Sequence, residues 1–550
     1  MIDLSKIFIE KEITNASNEA KKLLSTSNIP DSIIHDVLDL FKIDKPLSLG
    51  SSVLEDVGLI RTGSTFKALD TTATRGGSLL LSNMLERPTR WASTPIQPQD
   101  MPKYLKACET FKALEGDVLW ALSIDPAALN KPPLNSLFPS THILKYMNHS
   151  PELLGVYHMY RAYGAPLMAI VSPIATILGP YWYIRYKLGL KIGLWIYITF
   201  LFKIMLEMAS SGGDKWFVLG RYIVIGFYIF MFVYHIVNTI EVANLVRRMR
   251  NEVSEKVKNI QLFIQSANSI GLGTNKTDSK IKTIADLYRL LKNPKNKERL
   301  RELLIAVYET DVNVMCNQRL TDSLNWCRPT FGASITRLWG MKHVAVGTKG
   351  RSNPASLEKN LIVTGPNAGG KSTFVKSILL SIVLANSLGI ANAYKANIAT
   401  YDAVHSYMRI WDSPGEESLF EAEVSRCKTI VETAQALSAA GKQGVFFLDE
   451  PMHSTPPTEG AATAKALVKY MGQLPGIRIV VCTHFHSIPA LEDEPIFQNV
   501  SMSVKKSRKG TYTFKYKLHP GASFQCIALD LLSERSLPAE IIEEAKRFLE

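Results

Sequence analysis

The 550-residue sequence has no closely spaced pair of cysteines and no apolar leader at its start. Its six cysteines stand singly at positions 108, 316, 327, 427, 482 and 526. Without a CxxC pair a zinc ribbon is excluded, and a disulfide framework is not expected in a chain of this length. The opening residues, MIDLSKIFIEKEITNASNEAKK, lack the apolar core of a secretory signal. We therefore expect the protein to lie on the reducing side of a membrane.

The overall composition is that of a folded, multidomain protein. Hydrophobic residues make up 46% and charged residues 21%, which excludes a disordered or fibrous chain. A chain of this length predicts two to four domains. The formal net charge of +13 suits nucleic acid or an anionic membrane and does not choose between them. The mean hydropathy of +0.03 is slightly high for a soluble protein and indicates a local apolar stretch.

Apolar residues are concentrated at 165–240. Residues 165–184 carry no charge and would cover about 30 Å as a helix, although they include three prolines. Residues 192–206 are apolar except for one lysine, and residues 222–240 contain no Lys, Arg, Asp or Glu. Three such stretches with Trp and Tyr near their ends favour a membrane region. Buried core helices are the alternative.

The basic residues around these stretches predict how they cross. Clusters of basic residues precede the second stretch and follow the third: Arg185, Lys187, Lys191, Arg247, Arg248 and Arg250. A hairpin of 188–206 and 217–240 puts both clusters on one side, as the positive-inside rule prefers. Pairing 165–184 with 222–240 would leave six basic residues on the far side. We therefore prefer the hairpin, with 165–184 as a re-entrant or interfacial helix.

The sequence predicts a mostly α-helical N-terminal region with a transmembrane helical insertion, followed by a C-terminal α/β domain. A long lever helix is predicted at 241–266. Apolar strands alternate with helices towards the C-terminus. The predicted segments are 1–60 (helical), 61–164 (core, first part), 165–240 (membrane region), 241–329 (lever helices and core, second part) and 330–550 (α/β domain).

A complete phosphate-binding loop lies between a predicted strand and a predicted helix in the α/β domain. It comprises Gly365, Pro366, Asn367, Ala368, Gly369, Gly370, Lys371, Ser372 and Thr373. The glycines let backbone N–H groups surround the phosphates, and the helix adds its positive end. Lys371 would neutralise phosphate charge and the Ser372 hydroxyl would bind Mg²⁺. This motif predicts ATP and Mg²⁺ as cofactors.

Two later strands end in residues that suit ATP hydrolysis. The apolar run at 445–448 is followed by Asp449 and Glu450. Asp449 would support the metal and Glu450 would polarise the attacking water. The next apolar strand leads to His484, a candidate sensor of the γ-phosphate. His486 lies close by, so the sequence alone leaves open which histidine faces the site.

Two basic runs have two interpretations. One lies at 290–301 and the other at 505–509. Such runs usually form a solvated face. The alternative is contact with a nucleic-acid backbone or with anionic lipid.

The C-terminal domain resembles the MutS family of mismatch-repair ATPases. The loop at 365–373 matches that family's GPN-x-GGKST, and Ser418, Phe420 and Glu423 approach its Ser-x-Phe-x-x-Glu signature. His484 matches its Thr-His, and residues 520–523 resemble its Pro-Gly segment. Upstream, residues 69–88 resemble the start of the family's core domain, and Asp311 and residues 326–329 the approach to its ATPase domain.

The resemblance implies a dimer, of identical chains or with a paralogue, that forms through the ATPase domains. Ser418 would approach the nucleotide of the opposite subunit, so that Glu450, His484 and Ser418 form a composite catalytic site. The loop after the catalytic pair departs from the family, because Met452 and Ser454 replace its two glycines while Thr455, Thr458 and Gly460 are kept. This departure bears on communication between the two sites.

Other departures bear on function. Only about 60 residues precede the core in this sequence, too few for a mismatch-reading domain and a connector, and the triplet at 8–10 matches the family's wedge by chance. The apolar block replaces the family's DNA clamp, and its two flanks belong to one core, which implies an even number of crossings.

The sequence thus predicts a multi-pass membrane protein with its ATPase domain on the cytosolic, reducing side. We expect an ATP-dependent DNA clamp tethered to a membrane, without mismatch recognition. A scaffold or membrane-remodelling ATPase that has lost DNA binding is the alternative. An ABC transporter is disfavoured, because the membrane segment is small and the transporter signature is absent.

Overall fold

The computed structural model describes residues 18–26, 29–41, 46–91, 93–210, 215–272, 281–322, 325–408, 419–502, 504–506, 512–525, 527–534 and 538–548. The chain divides into two compact units. The first comprises Met1–Val37 and Ala113–Leu304, and the second comprises Leu38–Lys112 and Ile305–Glu550. Each unit is therefore built from two stretches that are separated in sequence.

Helices predominate before residue 330. The α-helices of the described residues are Asp31–Leu38, Val53–Asp56, Ser64–Leu69, Arg75–Glu86, Met101–Ser123, Pro151–Met159, Ala165–Tyr186, Leu194–Ser210, Lys215–Ser269, Ile284–Lys292, Pro294–Asp322, Lys371–Leu388, Leu419–Ala439, Pro457–Gln473, Ala528–Glu534 and Ala539–Arg547. Local sequence sets several of their starts. Thr283 and Asp286 form a capping box, and the Thr74 hydroxyl accepts a hydrogen bond from the Gly77 N–H.

The first unit contains two long helices, each with an apolar stretch that is almost wholly exposed. One runs through a π-helical turn, Tyr160–Gly164, and is continuous from Pro151 to Tyr186. Pro173 and Pro180 lie inside it without ending it. The other is Lys215–Ser269, and the most apolar windows of the two are only 6% and 0% buried. Both are long and apolar enough to cross a membrane.

The apolar region differs from the predicted hairpin. Residues 187–193 are not helical, since Gly189 adopts a left-handed φ of 69°, and the first predicted arm therefore begins only at Leu194. Its apolar part, Leu194–Ile204, extends about 16 Å as a helix. The segment at 165–184, predicted as a re-entrant or interfacial helix, is part of the continuous helix Pro151–Tyr186. The predicted lever at 241–266 has no separate start, because nothing between Lys215 and Ser269 interrupts the helix.

The second unit contains the β-structure. Its strands are β1 (Ser48–Leu49), β2 (Thr330–Ala333), β3 (Arg337–Met341), β4 (Asn353–Ser356), β5 (Asn360–Thr364), β6 (Lys395–Ala399), β7 (Ala403–Tyr407), β8 (Gly444–Asp449), β9 (Ile477–Cys482), β10 (Phe497–Met502), β11 (Lys505–Lys506), β12 (Tyr512–Thr513) and β13 (Leu518–Pro520). The larger sheet has the order β1-β7-β8-β9-β5-β10-β13, parallel except for β13. A second sheet has the order β2-β6-β3-β4.

The larger sheet is buried, as its apolar strands require. Every residue of β5 and β8 is buried. Phe446, Leu448 and Ile479 pack with residues of helices Leu419–Ala439 and Pro457–Gln473. Neighbouring strand residues point to the opposite face, and helix Lys371–Leu388 contacts β8 and β9. That helix is also apolar enough to span a membrane, but 83% of its window is buried, so it is a core helix.

The upstream segment that resembles the family core joins the same unit. The Asp311 carboxylate accepts hydrogen bonds from the backbone N–H groups of Ala73 and Thr74 and from the Thr74 hydroxyl. Arg328 donates to the Ser93 hydroxyl at 2.6 Å. Segments more than 200 residues apart in sequence are thereby held together.

Candidate nucleotide-binding site

The phosphate-binding loop joins the central strand β5 to helix Lys371–Leu388. Gly365 has a φ of 134°, and a Cβ there would lie 2.3 Å from the Met502 carbonyl oxygen. Gly370, which precedes the helix, has a left-handed φ of 94°. These two positions require glycine, so the motif's sequence follows from the path of its backbone. The first N–H groups of the helix point towards the loop and favour an anion.

Lys371 and Ser372 occupy the first turn of that helix. The Lys371 side chain is only 5% exposed, and its Nζ lies 3.3 Å from the Pro366 carbonyl oxygen and 4.0 Å from Glu450 Oε1. The Ser372 hydroxyl donates a hydrogen bond of 3.0 Å to Asp449 Oδ1. The loop and the carboxylates after β8, 77 residues apart, thus meet in one place.

The parallel order of β5, β9 and β8 explains this meeting, because the carboxyl ends of parallel neighbours share one edge of the sheet. Asp449 ends β8, and Glu450 follows with a left-handed φ of 50°. The Glu450 N–H donates to the Cys482 carbonyl at 2.9 Å, which fixes this unusual backbone. His484 Nδ1 lies 3.7 Å from Glu450 Oε1. His486 instead packs edge-on against Phe524, so the structure separates the two histidines.

Cys482 lies beside the predicted metal ligands and was not predicted as a site residue. Its thiol donates a hydrogen bond to Asp449 Oδ1, and its Sγ lies 4.0 Å from the Ser372 hydroxyl oxygen. Burial and the Asp449 carboxylate raise the pKa of this thiol well above its ordinary value. The thiol is therefore protonated at neutral pH and acts as a hydrogen-bond donor.

The phosphate-binding loop and the carboxylates of Asp449 and Glu450 line a cavity of about 920 Å³. All of the motif from Pro366 to Thr373 borders it, together with Asp449, Glu450, His453 and His484. The cavity walls also include His343 and Tyr516, which sequence reasoning missed because they lie far from any motif. Asn353 holds the Tyr516 segment, since its Nδ2 donates to the Tyr516 carbonyl at 2.9 Å.

His343 is neutral at physiological pH. Burial and the positive charge of Lys376 lower the pKa of its imidazole to about 4. Its Nδ1 accepts a hydrogen bond of 3.3 Å from the Ala345 N–H, as a neutral ring can. The cavity lining therefore includes an uncharged imidazole and a phenol, together with the Arg351 guanidinium.

The loop after the carboxylates is held by a buried acid from the signature segment. Met452 keeps a left-handed φ of 61° although it replaces a family glycine, and its side chain is buried in the core. Glu423, whose side chain is 3% exposed, accepts hydrogen bonds from the Ser454 N–H and hydroxyl, and its Oε1 lies 3.3 Å from His453 Nδ1. The loop thus retains a defined conformation without the family's glycines.

Ser418 lies outside the described residues, so its predicted contact across a dimer stays a prediction. In the basic run at 290–301, Lys297 Nζ contacts the Leu122 and Ile124 carbonyls, and Lys292 Nζ lies 3.3 Å from the Pro126 carbonyl. These two lysines therefore have partners within the first unit. Of the run at 505–509, the backbone of Lys505–Lys506 forms β11.

The donor set near Ser372 fits Mg²⁺. It offers a hydroxyl oxygen and a carboxylate oxygen 3.0 Å apart, the hard ligands that this ion prefers. Among the described residues no group of three or more His, Cys, Asp or Glu could hold a metal by itself. Mg²⁺ in nucleotide sites takes one or two protein ligands and completes its coordination shell with phosphates and water. A site of only two protein oxygens is therefore consistent with Mg²⁺ binding.

Comparison with known proteins identifies the C-terminal domain. The family model MutS domain V matches residues 361–550. A DNA mismatch repair protein MutS of Rhodopirellula baltica is 27% identical over 277 residues, 48% of this chain and 30% of that protein. The DNA mismatch repair protein Msh2 of Dictyostelium discoideum is 31% identical over 188 residues, 34% of this chain and 19% of that protein.

Another such protein, MutS of Bartonella quintana, is 29% identical over 265 residues, 45% of this chain and 28% of that protein. The matched part of the chain thus covers no more than 30% of the length of these three relatives. The predicted resemblance is confirmed for the C-terminal domain. Residues 361–550 thus form a domain of the MutS domain V family.

Proposed function

We propose that the protein is a Mg²⁺-dependent ATPase of the MutS type that is tethered to a membrane. The observation that carries the enzymatic part is the single cavity bordered by Lys371, Ser372, Asp449, Glu450 and His484. Phosphate, metal and water therefore each find a suitable group within one enclosed space.

Each residue has a distinct proposed role. The loop N–H groups and Lys371 bind the β- and γ-phosphates, and Ser372 and Asp449 hold the metal. The metal, when bound, neutralises the charge that develops on the transferred phosphoryl group. Glu450 positions the attacking water as general base, and His484, held beside Glu450, contacts the γ-phosphate. Cys482 orients Asp449 through its hydrogen bond.

The nucleoside is proposed to bind against His343 and Tyr516. Both border the cavity, and His343 lies in the segment between β3 and β4. A neutral imidazole and a phenol ring offer flat faces for a purine without attracting further phosphate. ATP would thus lie with its phosphates on the loop and its base between the two sheets.

Two proposals rest on the family resemblance. The first is a dimer, of identical chains or with a paralogue, in which Ser418 approaches the partner's nucleotide. The second is DNA as a partner, supported by the relatives' printed names, which describe DNA mismatch repair proteins. Mismatch recognition itself is not proposed, because the family model that matches this chain is MutS domain V, at residues 361–550.

The membrane tether is proposed to consist of residues 165–186 and 219–240. Their helices pack on each other, and the Arg247 guanidinium lies 5.4 Å from the Tyr163 ring, so both meet the first unit at the same end. Residues on both sides of the insertion belong to that unit, which requires an even number of crossings. Helix Leu194–Ser210 joins the far ends of the two spans and would lie in the far interface.

This pairing puts the basic residues of 185–221 in the far headgroup layer. Arg185 already has a local partner there, since its Nη1 donates to the Tyr181 hydroxyl at 2.6 Å. Helical continuity supports this pairing over the one preferred from charge alone. The ATPase domain is proposed to face the reducing side, in keeping with the unpaired cysteines.

A membrane-acting ATPase without DNA binding is the second candidate. It is favoured by the basic run at 290–301, where Lys292 and Lys297 contact backbone carbonyls. Lysines used in this way contribute less to a surface for phosphate backbones.

Two substitutions test the enzymatic proposal. Lys371→Ala should abolish both ATP binding and turnover, because the buried phosphate ligand is lost. Glu450→Gln should keep ATP binding and lower the hydrolysis rate by about 10²–10⁴-fold, the usual contribution of a general base. Nucleotide affinity and phosphate release are measured on the purified, detergent-solubilised chain.

Exposed residues of the same types serve as controls. Lys359→Ala and Glu459→Gln change charges on the surface of the same domain and should leave both quantities unchanged. An equal loss of ATP binding in Lys371→Ala and Glu450→Gln would contradict the role given to Glu450.

A further inference from the structure

One face of the helical segment 151–164 is apolar and points away from the first unit. Leu154, His158 and Ala162, four residues apart, are buried and mark the inward face. The opposite face carries an outward stripe whose members are each 49–62% exposed: Leu153, Val156, Met159, Tyr160 and Tyr163. At 100° per residue these five occupy an arc of about 120°, and the exposed Glu152 in the first turn is the charged residue within it.

Neighbouring residues extend this apolar surface. Ile143 is 84% exposed and Tyr146 is 72% exposed, immediately before the helix. A helix at a water-exposed surface normally turns charged residues outward. A contiguous apolar patch of this kind marks a surface that contacts another apolar phase.

The length of helix Pro151–Tyr186 indicates that this apolar phase is a lipid bilayer. Pro151–Tyr186 has 36 residues and is about 54 Å long, whereas a bilayer measures about 30 Å across its hydrocarbon core and 40–45 Å with its headgroups. If residues 165–186 cross the core, the outward stripe begins in the adjoining headgroup layer. Tyrosine is enriched in that layer, and the stripe ends in Tyr160 and Tyr163.

Positive charge lies at the same level. The Arg247 guanidinium lies 5.4 Å from the Tyr163 ring, exposed Arg248 is next in the chain, and Arg161 lies within the helical segment itself. Residues 141–164 and 241–250 together contain five Lys or Arg and two Glu. The apolar stripe is therefore accompanied by a net positive charge, which complements anionic headgroups.

We propose that the outward stripe, with Arg247 and Arg248, forms a collar that sits in the headgroup layer of an anionic bilayer. The collar rests on the proposed membrane tether and adds a lipid-binding surface to it. It would fix the depth of the first unit, because apolar side chains enter the layer while the guanidinium groups hold phosphate at its surface.

Photo-crosslinking of the full chain tests the collar and the tether separately. Benzoylphenylalanine replaces Val156, Tyr160, Ile174 or Leu262 in protein reconstituted into vesicles of equal parts phosphatidylcholine and phosphatidylglycerol. Ile174 lies in the proposed span and Leu262 lies fifteen residues after Arg247, about 22 Å further along its helix. Leu262 is 42% exposed and serves as the matched control.

The expected result is lipid adducts from positions 156, 160 and 174 and none from 262. Adducts from 174 without adducts from 156 and 160 would overturn the collar and leave the tether intact. Absence of lipid adducts at 174 would overturn the tether itself. Protein adducts in place of lipid adducts at 156 and 160 would assign the stripe to a second copy or another protein, and would also overturn the collar.

The headgroups found in the lipid adducts test whether the arginines of the collar attract anionic lipid. Position 156 should crosslink phosphatidylglycerol in preference to phosphatidylcholine, and Arg247→Gln with Arg248→Gln should reduce this preference by about fivefold for each arginine. An unchanged ratio in the double variant would refute the contribution of the arginines. Adducts at 174 report in the same samples that the variant is still inserted.

Discussion

At the scale of single residues, environment decides what each titratable group can do. His343 and His484 both border the cavity, yet His343 has a pKa lowered to about 4 by burial and by Lys376, whereas His484 is half-exposed beside Glu450. Cys482 has its pKa raised by burial and by Asp449 and is held as a donor. The same cavity thus holds groups of different protonation state, which their surroundings determine.

Protonation of His343 should destabilise the fold below neutral pH. Its folded pKa lies below its ordinary value of 6.5, so the unfolded chain binds the proton more readily. Above pH 6.5 the ring is neutral in both states and the full free energy of unfolding is retained. As the pH falls from 6.5 towards 4, the free energy of unfolding decreases by a total of about 3 kcal/mol. Thermal unfolding across this range should show the loss in the native chain.

His343→Gln removes the ionisable group and provides the control. Its stability should differ from that of the native chain by a constant amount above pH 6.5, and the native chain should lose stability relative to it below that value. Parallel stability curves across the whole range would show that His343 is not buried as described.

At the scale of elements, the site depends on contacts between helices and loops that are far apart in sequence. Helix Leu419–Ala439 carries Glu423 into the loop that follows β8. This loop holds two residues of positive φ, Glu450 and Met452, which cost of order 1–3 kcal/mol each unless neighbours enforce them. The buried Glu423 carboxylate is the neighbour that binds the loop backbone directly.

Glu423→Gln should therefore impair catalysis more than nucleotide binding. The amide keeps the shape but weakens the charge-assisted hydrogen bonds from Ser454 and His453, each worth about 1.5–3 kcal/mol. Relaxation of the loop would displace Glu450, and we expect kcat to fall by roughly tenfold or more with ATP affinity retained. Steady-state kinetics and nucleotide titration measure the two effects.

Glu432→Gln on the same helix is the matched control, because its carboxylate is exposed and pairs with Lys428 at the surface. It should leave kcat unchanged. A normal kcat in Glu423→Gln would mean that the loop keeps its conformation without the buried acid.

At the scale of the whole molecule, an ATPase domain of the MutS family is combined with an exposed apolar insertion in a separate unit. The family's activities belong to proteins of which this chain matches 30% or less. The comparisons therefore leave the partner of the first unit to experiment, with DNA and a bilayer alone as the two proposals.

A DNA-binding measurement on the solubilised full chain tests whether DNA is a partner. With ATP, at about 0.15 M salt, we expect binding to duplex or four-way-junction DNA without preference for a mismatch. Lys371→Ala should bind independently of nucleotide, because it cannot hold ATP. Absence of DNA binding in a chain that hydrolyses ATP would favour the membrane-acting alternative.

The sequence by itself determined the local features: the loop at 365–373, the carboxylates after an apolar strand, the α/β character of the C-terminal part and its family. Such features can be predicted from short stretches of sequence, because a tight turn, a buried strand and a helix start each depend on residues that are adjacent in the chain. Tertiary structure alone decided which distant groups meet: His343 and Tyr516 in the cavity lining, Glu423 beside the loop, and the contact between helices Ala165–Tyr186 and Lys215–Ser269. The hairpin predicted from basic residues stays a prediction, although counting charges does not detect that residues 187–193 are not helical while no residue interrupts Lys215–Ser269. Contacts between distant residues depend on the packing of whole elements, for which a single sequence has no local signal.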